Sequence, residues 1–66
     1  MPVAKVIEIM AESDISWEEA TKDAVKEASK TVKNIQSVYI EGFQAVVVNN
    51  KIEKFRVDAK ITFVVD

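Results

Sequence analysis

The side chains of this chain that could take part in chemistry are carboxylates, lysines, one arginine and hydroxyls, because its 66 residues include neither histidine nor cysteine. A nucleophilic serine needs a neighbouring base, which is most often a histidine. Ser13 and Ser16 have no histidine or cysteine that could act with them. The composition also excludes disulfide bonds and zinc sites built from thiolates or imidazoles. Enzymatic catalysis is therefore not predicted, and ligand binding or a structural role remains.

Carboxylates are the metal ligands that the sequence does offer. Hard cations such as calcium take six to eight oxygen ligands, and the familiar calcium loop repeats aspartates at every second position before a glycine and a distant glutamate. That loop pattern does not occur here, so the metal ligands stay unknown at this stage. The available acidic candidates are Glu12, Asp14, Glu41, Asp58 and Asp66.

The charge balance argues against several partners. Nine lysines and arginines against eleven acidic residues give a net charge of −2, and the basic residues are dispersed along the chain. Binding to nucleic acid or to an anionic membrane surface is therefore not expected. An apolar run of membrane-spanning length and a secretory signal segment are both missing from the sequence, so a cytoplasmic location is expected.

The length predicts a single small domain over residues 1–66. A chain of about this size buries only about 60% of the surface that its unfolded form exposes, so an isolated monomer is marginally stable. Without disulfides or a zinc site, self-association is the remaining common means of stabilisation.

The clearest structural pattern is a strand over residues 55–66. Apolar residues occupy every odd position and polar residues nearly every even position, which is typical of a strand with one buried face. The polar face carries Arg56, Asp58, Lys60 and Thr62. The apolar face carries Phe55, Val57, Ala59, Ile61, Phe63 and Val65.

A first strand is predicted over Val3 to Ala11. Ile7, Ile9 and Ala11 share one side with Val3, whereas Val6 and Met10 lie on the other. Because both faces are largely apolar, we expect this strand at the centre of the sheet or at a contact between subunits.

A helix is predicted to begin after Ser16. Ser16 and Glu19 have the spacing of a capping box, in which the Ser16 hydroxyl accepts a hydrogen bond from the backbone amide of Glu19. Glu18 and Lys22 have the spacing of a favourable ion pair. Trp17 lies on the apolar stripe and is interpreted as a core or interface anchor. The stripe continues through Ala20, Ala24, Ala28, Val32 and Ile35, widened by Val25, while Lys30 and Lys33 are expected near the helix C-terminus.

A second long strand is predicted from Gln36 to Val48, followed by a two-residue Asn49-Asn50 hairpin. Asparagine tolerates the positive φ that such a turn requires. If Val48 lies opposite Lys51, then Val38 lies opposite Ile61 and Ile40 opposite Ala59, with no slip between them. The predicted fold class is thus α+β, with the order β-α-β-β and a three-stranded antiparallel sheet partly wrapped around one helix.

This register predicts an apolar patch on the sheet face away from the helix. A soluble monomer seldom exposes such a patch, so it indicates self-association through that face, with Glu41, Arg56, Asp58 and Lys60 supplying polar contacts. A bulge at Gly42 would reverse the facing of the distal half of the strand. The patch comprises Tyr39, Phe43, Ala45, Val47 and Ile52.

The element order, together with Lys5-Val6-Ile7-Glu8-Ile9, Ser16-Trp17-Glu18-Glu19-Ala20 and Phe55-Arg56-Val57-Asp58-Ala59-Lys60-Ile61, resembles the dodecin family over practically the whole chain. The resemblance implies a homododecameric hollow shell. It also implies a non-enzymatic storage protein for riboflavin-like or FMN-like flavins. In the flavin-binding members, tryptophans near the start of the second strand stack on the flavin, and a glutamine in the third strand pairs with the edge of its ring.

The resemblance places the flavin-contacting positions at Ser37 and Arg56, and both differ from the family pattern. Serine has no aromatic face, and arginine donates hydrogen bonds where an amide both donates and accepts. Tyr39 is the nearest aromatic substitute for stacking, or else an interface tyrosine. Arg56 either contacts the ligand or pairs with Asp58 or Glu41 of a neighbouring chain. These departures are similar to the calcium dodecin branch, so calcium binding, or a purely structural shell without flavin, is the alternative.

Overall fold

The computed structural model describes residues 3–65, and Asp66, one of the predicted metal candidates, lies outside them. The elements are β1 (Val3–Ser13), α1 (Trp17–Ala28), β2 (Ile35–Val48) and β3 (Lys51–Val65). They form an antiparallel sheet in the order β1-β3-β2, which confirms the predicted fold class. Of the two positions expected for the first strand, the central one is wrong, because β3 occupies the centre and β1 an edge, and a contact between subunits stays a prediction. No helix within residues 3–65 is long and apolar enough to cross a membrane.

The helix begins as predicted. The Ser16 hydroxyl accepts a hydrogen bond from the Glu19 amide at 3.0 Å, which satisfies one of the free amides of the first turn. Lys22 Nζ lies 3.5 Å from the Glu18 carboxylate, as its spacing indicated. The capping serine follows directly from the turn after β1, so the helix starts where it can cross back over the sheet.

The helix ends earlier than the apolar stripe predicted. Its last residue is Ala28, and Val32 packs against the core from the following turn rather than from the helix. Asn34 then adopts φ of 62°, a left-handed conformation that asparagine tolerates, and reverses the chain into β2. Ile35 consequently belongs to β2, and Lys30 and Lys33 lie beyond the helix C-terminus.

The core is a thin layer between helix and sheet. Ala20, Ala24 and Ala28 are buried on the helix, and their small side chains let it lie close to β3. The residues of β3 that face them are also buried, and they supply the larger volumes of the layer: Val57, Ala59 and Ile61. The alternation of β3 predicted this buried row.

The Asn49-Asn50 hairpin forms as predicted, with φ of 52° and 64°. Val48 pairs with Lys51, Val38 with Ile61 and Ile40 with Ala59. The expectation of an uninterrupted register between these pairs is wrong, because the ladder shifts between Ile40 and Gly42 and shifts back between Val46 and Val47. We define the first irregularity as the Glu41 bulge and the second, where Glu53 is skipped, as the Glu53 bulge.

The Glu41 bulge reverses the facing of the distal half of β2. Phe43 pairs with Val57 and Ala45 with Phe55, so Phe43 and Ala45 lie on the helix side of the sheet. The predicted single patch is therefore divided: Tyr39 faces away from the helix, whereas Phe43 and Ala45 do not. All four large residues of the patch are nonetheless exposed: Tyr39 because nothing within residues 3–65 covers the face away from the helix, and Phe43, Val47 and Ile52 because the hairpin end extends beyond the helix.

Candidate functional site

The sheet face opposite the helix, here called the outer face, is left uncovered by every other element of residues 3–65. It is lined by side chains that alternate away from the buried row of β3, together with their cross-strand neighbours. Val6, Met10 and Tyr39 are exposed by 57%, 56% and 65%. The polar members of this face include Glu8, Glu12, Ser37, Glu41, Gln44, Lys54, Arg56, Asp58, Lys60 and Thr62.

An acidic cluster lies at the middle of the outer face. Glu8 on β1, Asp58 on β3 and Glu41 on β2 each place a carboxylate oxygen within 4.8 Å of the others. Glu41 reaches this position because it follows the alternation of Tyr39, which faces away from the helix, and the bulge leaves that facing unchanged. One cation accompanies the three acids, since Lys60 Nζ lies 3.2 Å from Glu41 Oε1.

The crowding of carboxylates changes the protonation of this cluster. The charge of Asp58, and then that of Glu41, raises the pKa of Glu8 above its ordinary value, because a like charge disfavours ionisation. The hydrogen bond and charge of Glu41 raise the pKa of Lys60, because they favour its charged form. The cluster therefore holds a proton on Glu8 at a higher pH than an isolated glutamate would.

Replacing Glu8 with glutamine is expected to remove part of the pH dependence of stability. Between the ordinary and the raised pKa of Glu8, the folded chain binds more protons than the unfolded chain. The free energy of unfolding therefore falls as pH rises through that interval. Lys60 contributes stability below its ordinary pKa that is lost as pH rises through its raised value, so its effect appears only in alkali.

Urea denaturation at pH 4 and pH 7 tests this expectation. Glu8→Gln should gain more stability relative to the parent chain at the higher pH, because that is where the repulsion acts. The matched control is Glu53→Gln, which removes an exposed carboxylate from the hairpin bulge, distant from the cluster. An equal effect of Glu8→Gln at both pH values would show that the carboxylates do not interact.

The predicted metal candidates are only partly brought together. Glu41 and Asp58 join in the acidic cluster, whereas Glu12 pairs with Arg56 and Asp14 lies in the exposed turn after β1. Glu8 completes the cluster and was not among the predicted candidates. Its position follows once β1 is paired beside β3, which sets Glu8 opposite Lys60.

Arg56 is committed to contacts within its own chain. Its Nε donates to Glu12 Oε2 at 2.7 Å, and its Nη1 lies 3.4 Å from Gln44 Oε1. Lys54 Nζ lies 3.9 Å from the same glutamate. The expected partners Asp58 and Glu41 of a neighbouring chain are thus not required to neutralise Arg56, because Glu12 supplies the carboxylate.

The predicted ligand residues lie at two separate places on the sheet. Ser37 pairs with Thr62 and Tyr39 with Lys60, whereas Arg56 pairs with Gln44. Thr62 and Arg56 are six positions apart along β3, which corresponds to about 20 Å. A single small ligand bound to one chain cannot contact both Ser37 and Arg56.

Trp17 anchors the start of the helix to the hairpin. Its Nε1 donates to the Gln44 carbonyl oxygen at 2.9 Å, and its ring meets Phe55 and Phe43 edge-on at centroid distances of 5.0 and 5.9 Å. These contacts agree with the interpretation of Trp17 as an anchor. Its indole remains 37% exposed, so the aromatic group is a surface cluster rather than a buried core.

Comparison with known proteins gives one consistent result. The family model described as Dodecin matches residues 3–66. An arginine-to-alanine mutant of the dodecin from Thermus thermophilus has a similar structure, with a TM-score of 0.93 at 18% identity, covering 100% of this chain and 98% of that one. The dodecin from Streptomyces davaonensis has a TM-score of 0.92 at 20% identity, with 98% and 96% covered.

A third similar structure is the dodecin from Streptomyces coelicolor. Its TM-score is 0.93 at 18% identity, with 98% of this chain and 93% of that chain covered. Identities this low establish a shared fold and not a shared ligand. No curated protein matches the sequence.

Proposed function

Because the chain belongs to the dodecin family, whose members bind small ligands such as flavins and form dodecamers, we propose that it is a non-enzymatic small-ligand-binding and storage protein. It assembles as a hollow homododecamer in the cytoplasm. The ligand class is a riboflavin-like or FMN-like aromatic molecule, held more weakly than a tryptophan-bearing site would hold it.

The observation that supports this proposal is the uncovered outer face. It combines exposed apolar side chains, including Val6, Met10 and Tyr39, with a dense group of charged residues. Exposed apolar surface of this kind marks an interaction site, and charged residues beside it can contact a polar ligand or a second chain. A second chain on this face would enclose the surface and add to the stability of a small domain.

The proposed ligand contacts are made by Ser37, Tyr39 and Arg56. Because Ser37 and Arg56 lie about 20 Å apart on one chain, a site that uses both must be built from more than one chain. Tyr39 supplies the aromatic surface in place of the missing tryptophan, since its ring is exposed on the outer face. Arg56 supplies hydrogen-bond donors while Glu12 holds its guanidinium in place.

The alternative is a calcium-binding shell that takes no flavin, and the acidic cluster favours it. Glu8, Glu41 and Asp58 offer oxygen ligands that fit a hard cation, and their mutual repulsion would be relieved by one. Lys60 competes for the same position as a built-in cation. A purely structural shell is the third possibility, in which neither ligand binds.

Two titrations on the parent chain distinguish these functions. Quenching of riboflavin fluorescence on adding protein is expected, whereas unchanged fluorescence would contradict ligand storage. Calorimetric titration with calcium tests the alternative, with Glu8→Gln as the variant that should lose any binding at the cluster. Heat in the parent that disappears in the variant, together with unquenched riboflavin, would replace flavin storage by calcium binding.

A further inference from the structure

Besides a shift between Ile35 and Ser37 at the start of β2, the β2–β3 ladder contains the Glu41 bulge and the Glu53 bulge, whose register shifts cancel each other. Pairs at both ends, Ile40 with Ala59 and Val47 with Ile52, fit one regular register. Between them the ladder is displaced by one residue, from Gly42 opposite Asp58 to Val46 opposite Lys54. The pairs on either side of the displaced segment and the Asn49-Asn50 turn are the same in both registers, so a return to the regular register keeps the length of the turn and turns the distal hairpin over relative to the rest of the sheet.

The regular register is a complete alternative pairing of the same residues. It sets Glu41 opposite Asp58, Phe43 opposite Arg56 and Gln44 opposite Phe55. Because side chains alternate along a strand, a shift of one residue turns the β2 residues after Glu41 to the other face, whereas residues 54–58 of β3 keep their facing through their pairs with β1. Phe43 would leave the helix side and join Tyr39 on the outer face.

We propose that the β2–β3 hairpin exchanges between the bulged register and the regular register, and that this exchange moves the aromatic ring of Phe43 between the two faces of the sheet. This exchange is a property of the hairpin and does not depend on which ligand the protein binds. Its two end states differ in the pairing of residues 41–46 with residues 53–58 and in the facing of the hairpin end beyond them, residues 47–52.

Specific contacts hold the bulged register. Trp17 Nε1 donates to the Gln44 carbonyl oxygen at 2.9 Å, and the Trp17 ring packs edge-on against Phe43. Gln44 Oε1 lies 3.4 Å from Arg56 Nη1 on the outer face. Each of these contacts is lost when residues 43 and 44 exchange faces.

The sequence supports the regular register almost as well. Apolar residues occupy both alternations of distal β2, with Phe43, Ala45 and Val47 in one and Val46 and Val48 in the other. Either register thus presents apolar side chains to the helix side, so the apolar pattern specifies the pairing only weakly. The regular register removes both bulges, but it sets the like charges of Glu41 and Asp58 directly opposite each other, which disfavours it.

The exchange changes what the outer face offers to a partner. In the regular register Tyr39 and Phe43 lie on the same face, four residues apart along β2, and form an aromatic surface. In the bulged register Tyr39 stands there without Phe43. A molecule or chain that binds this aromatic surface therefore selects the regular register, because its affinity differs between the two states.

Disulfide trapping distinguishes the registers, and the chain has no cysteine of its own to interfere. Ala45→Cys with Phe55→Cys places thiols directly opposite each other in the bulged register. Ala45→Cys with Lys54→Cys does so in the regular register, whereas in the bulged register those side chains point to opposite faces and cannot be bridged. We expect both pairs to form a disulfide within a single chain, the second at least about tenfold more slowly because it waits for the exchange.

Substitution of Gln44 should change the rate at which the Ala45→Cys, Lys54→Cys pair forms its disulfide. Gln44→Val favours the regular register, where residue 44 faces the apolar helix side. It should speed the Ala45→Cys, Lys54→Cys reaction by about tenfold. Gln44→Glu is the matched control, since its charge strengthens the contact with Arg56 and should slow the same reaction. The proposal would be overturned if the Ala45→Cys, Lys54→Cys pair formed no disulfide, either with Gln44 retained or with Gln44→Val added. Equal rates of disulfide formation in the Gln44→Val and Gln44→Glu backgrounds would also overturn it.

A measurement without cysteines covers the case in which the double variants do not fold. NMR relaxation dispersion on the unmodified, isotopically labelled protein detects exchange on the microsecond-to-millisecond timescale. Slower exchange would give a second set of resonances. One or other signature is expected for residues 41–46 and 53–58 and not for β1. A single set of resonances with flat profiles throughout the hairpin would contradict the proposal.

Discussion

Riboflavin should bind to the Ser37→Trp variant at least about tenfold more tightly than to the parent chain. An aromatic pair contributes about 0.5–1.5 kcal/mol beyond the area it buries, and a ligand stacked between tryptophans of two chains would gain two such contacts. Ser37 is exposed at the start of β2, so the larger ring can be accommodated without disturbing the core. Fluorescence titration of riboflavin against both proteins measures the ratio.

The control for this substitution is a tryptophan placed elsewhere. Ser29→Trp adds the same ring at the exposed end of the helix, away from the outer face, and should leave riboflavin affinity unchanged. Adding Arg56→Gln to Ser37→Trp should strengthen binding further, because an amide both donates and accepts hydrogen bonds. If the parent chain already binds riboflavin as tightly as the double variant, the assignment of Ser37 and Arg56 to the ligand site is wrong.

Ile61→Ala is expected to destabilise the fold by about 2–5 kcal/mol, which is the usual cost of removing a large aliphatic side chain from a core. Ile61 is fully buried at the centre of β3 and packs in the same cluster as Ala24, Ala28 and Ala59. Since the buried helical residues of this cluster are alanines, their side chains are too small to fill the cavity. Urea denaturation at a fixed protein concentration measures the change.

Ile15→Ala is the matched control, because it removes the same atoms from a side chain that is 71% exposed. Its effect on an isolated chain should stay within about 0.5 kcal/mol. Equal losses of stability in the two variants would mean that β3 does not supply the core, and would contradict the order of the sheet.

The elements could be predicted from the sequence because their signals are local. The Ser16 hydroxyl, which caps the helix by accepting from the Glu19 amide, determines the start of the helix, and the two asparagines determine the turn. The buried row of β3 follows from strict alternation between apolar and polar residues. In each case residues a few positions apart carry the whole signal, so no knowledge of tertiary contacts is needed.

The paired bulges could not be predicted, because the sequence is compatible with two registers. The regular register satisfies the turn and the pairs at Val38 and Ile40. The bulged register gains Trp17 as a contact for Phe43 and Gln44. That contact joins residues 26 or more positions apart and depends on how the helix lies on the sheet. Glu41 faces away from the helix in either register, as predicted, and Glu8 was missed because its neighbours in the acidic cluster are on other strands.

The length of the helix was overestimated for a related reason. Val32 and Ile35 continue the apolar spacing of the helix and do contact the core, but from a turn and from a strand. Spacing alone reports which residues are buried and not the backbone conformation that buries them. The helix has already ended at Ala28, and Asn34, in the left-handed conformation, directly precedes the first residue of β2.

The mass of the purified protein in solution tests the central claim, that this chain works as a ligand-binding shell, most directly. Light scattering after size-exclusion chromatography at micromolar concentration should give about twelve times the 7.4 kDa mass of the chain. The outer face and the exposed hairpin end would then be contact surfaces between copies of the chain. A monomeric mass would contradict the account, because a ligand site that needs Ser37 and Arg56 from different chains could not form.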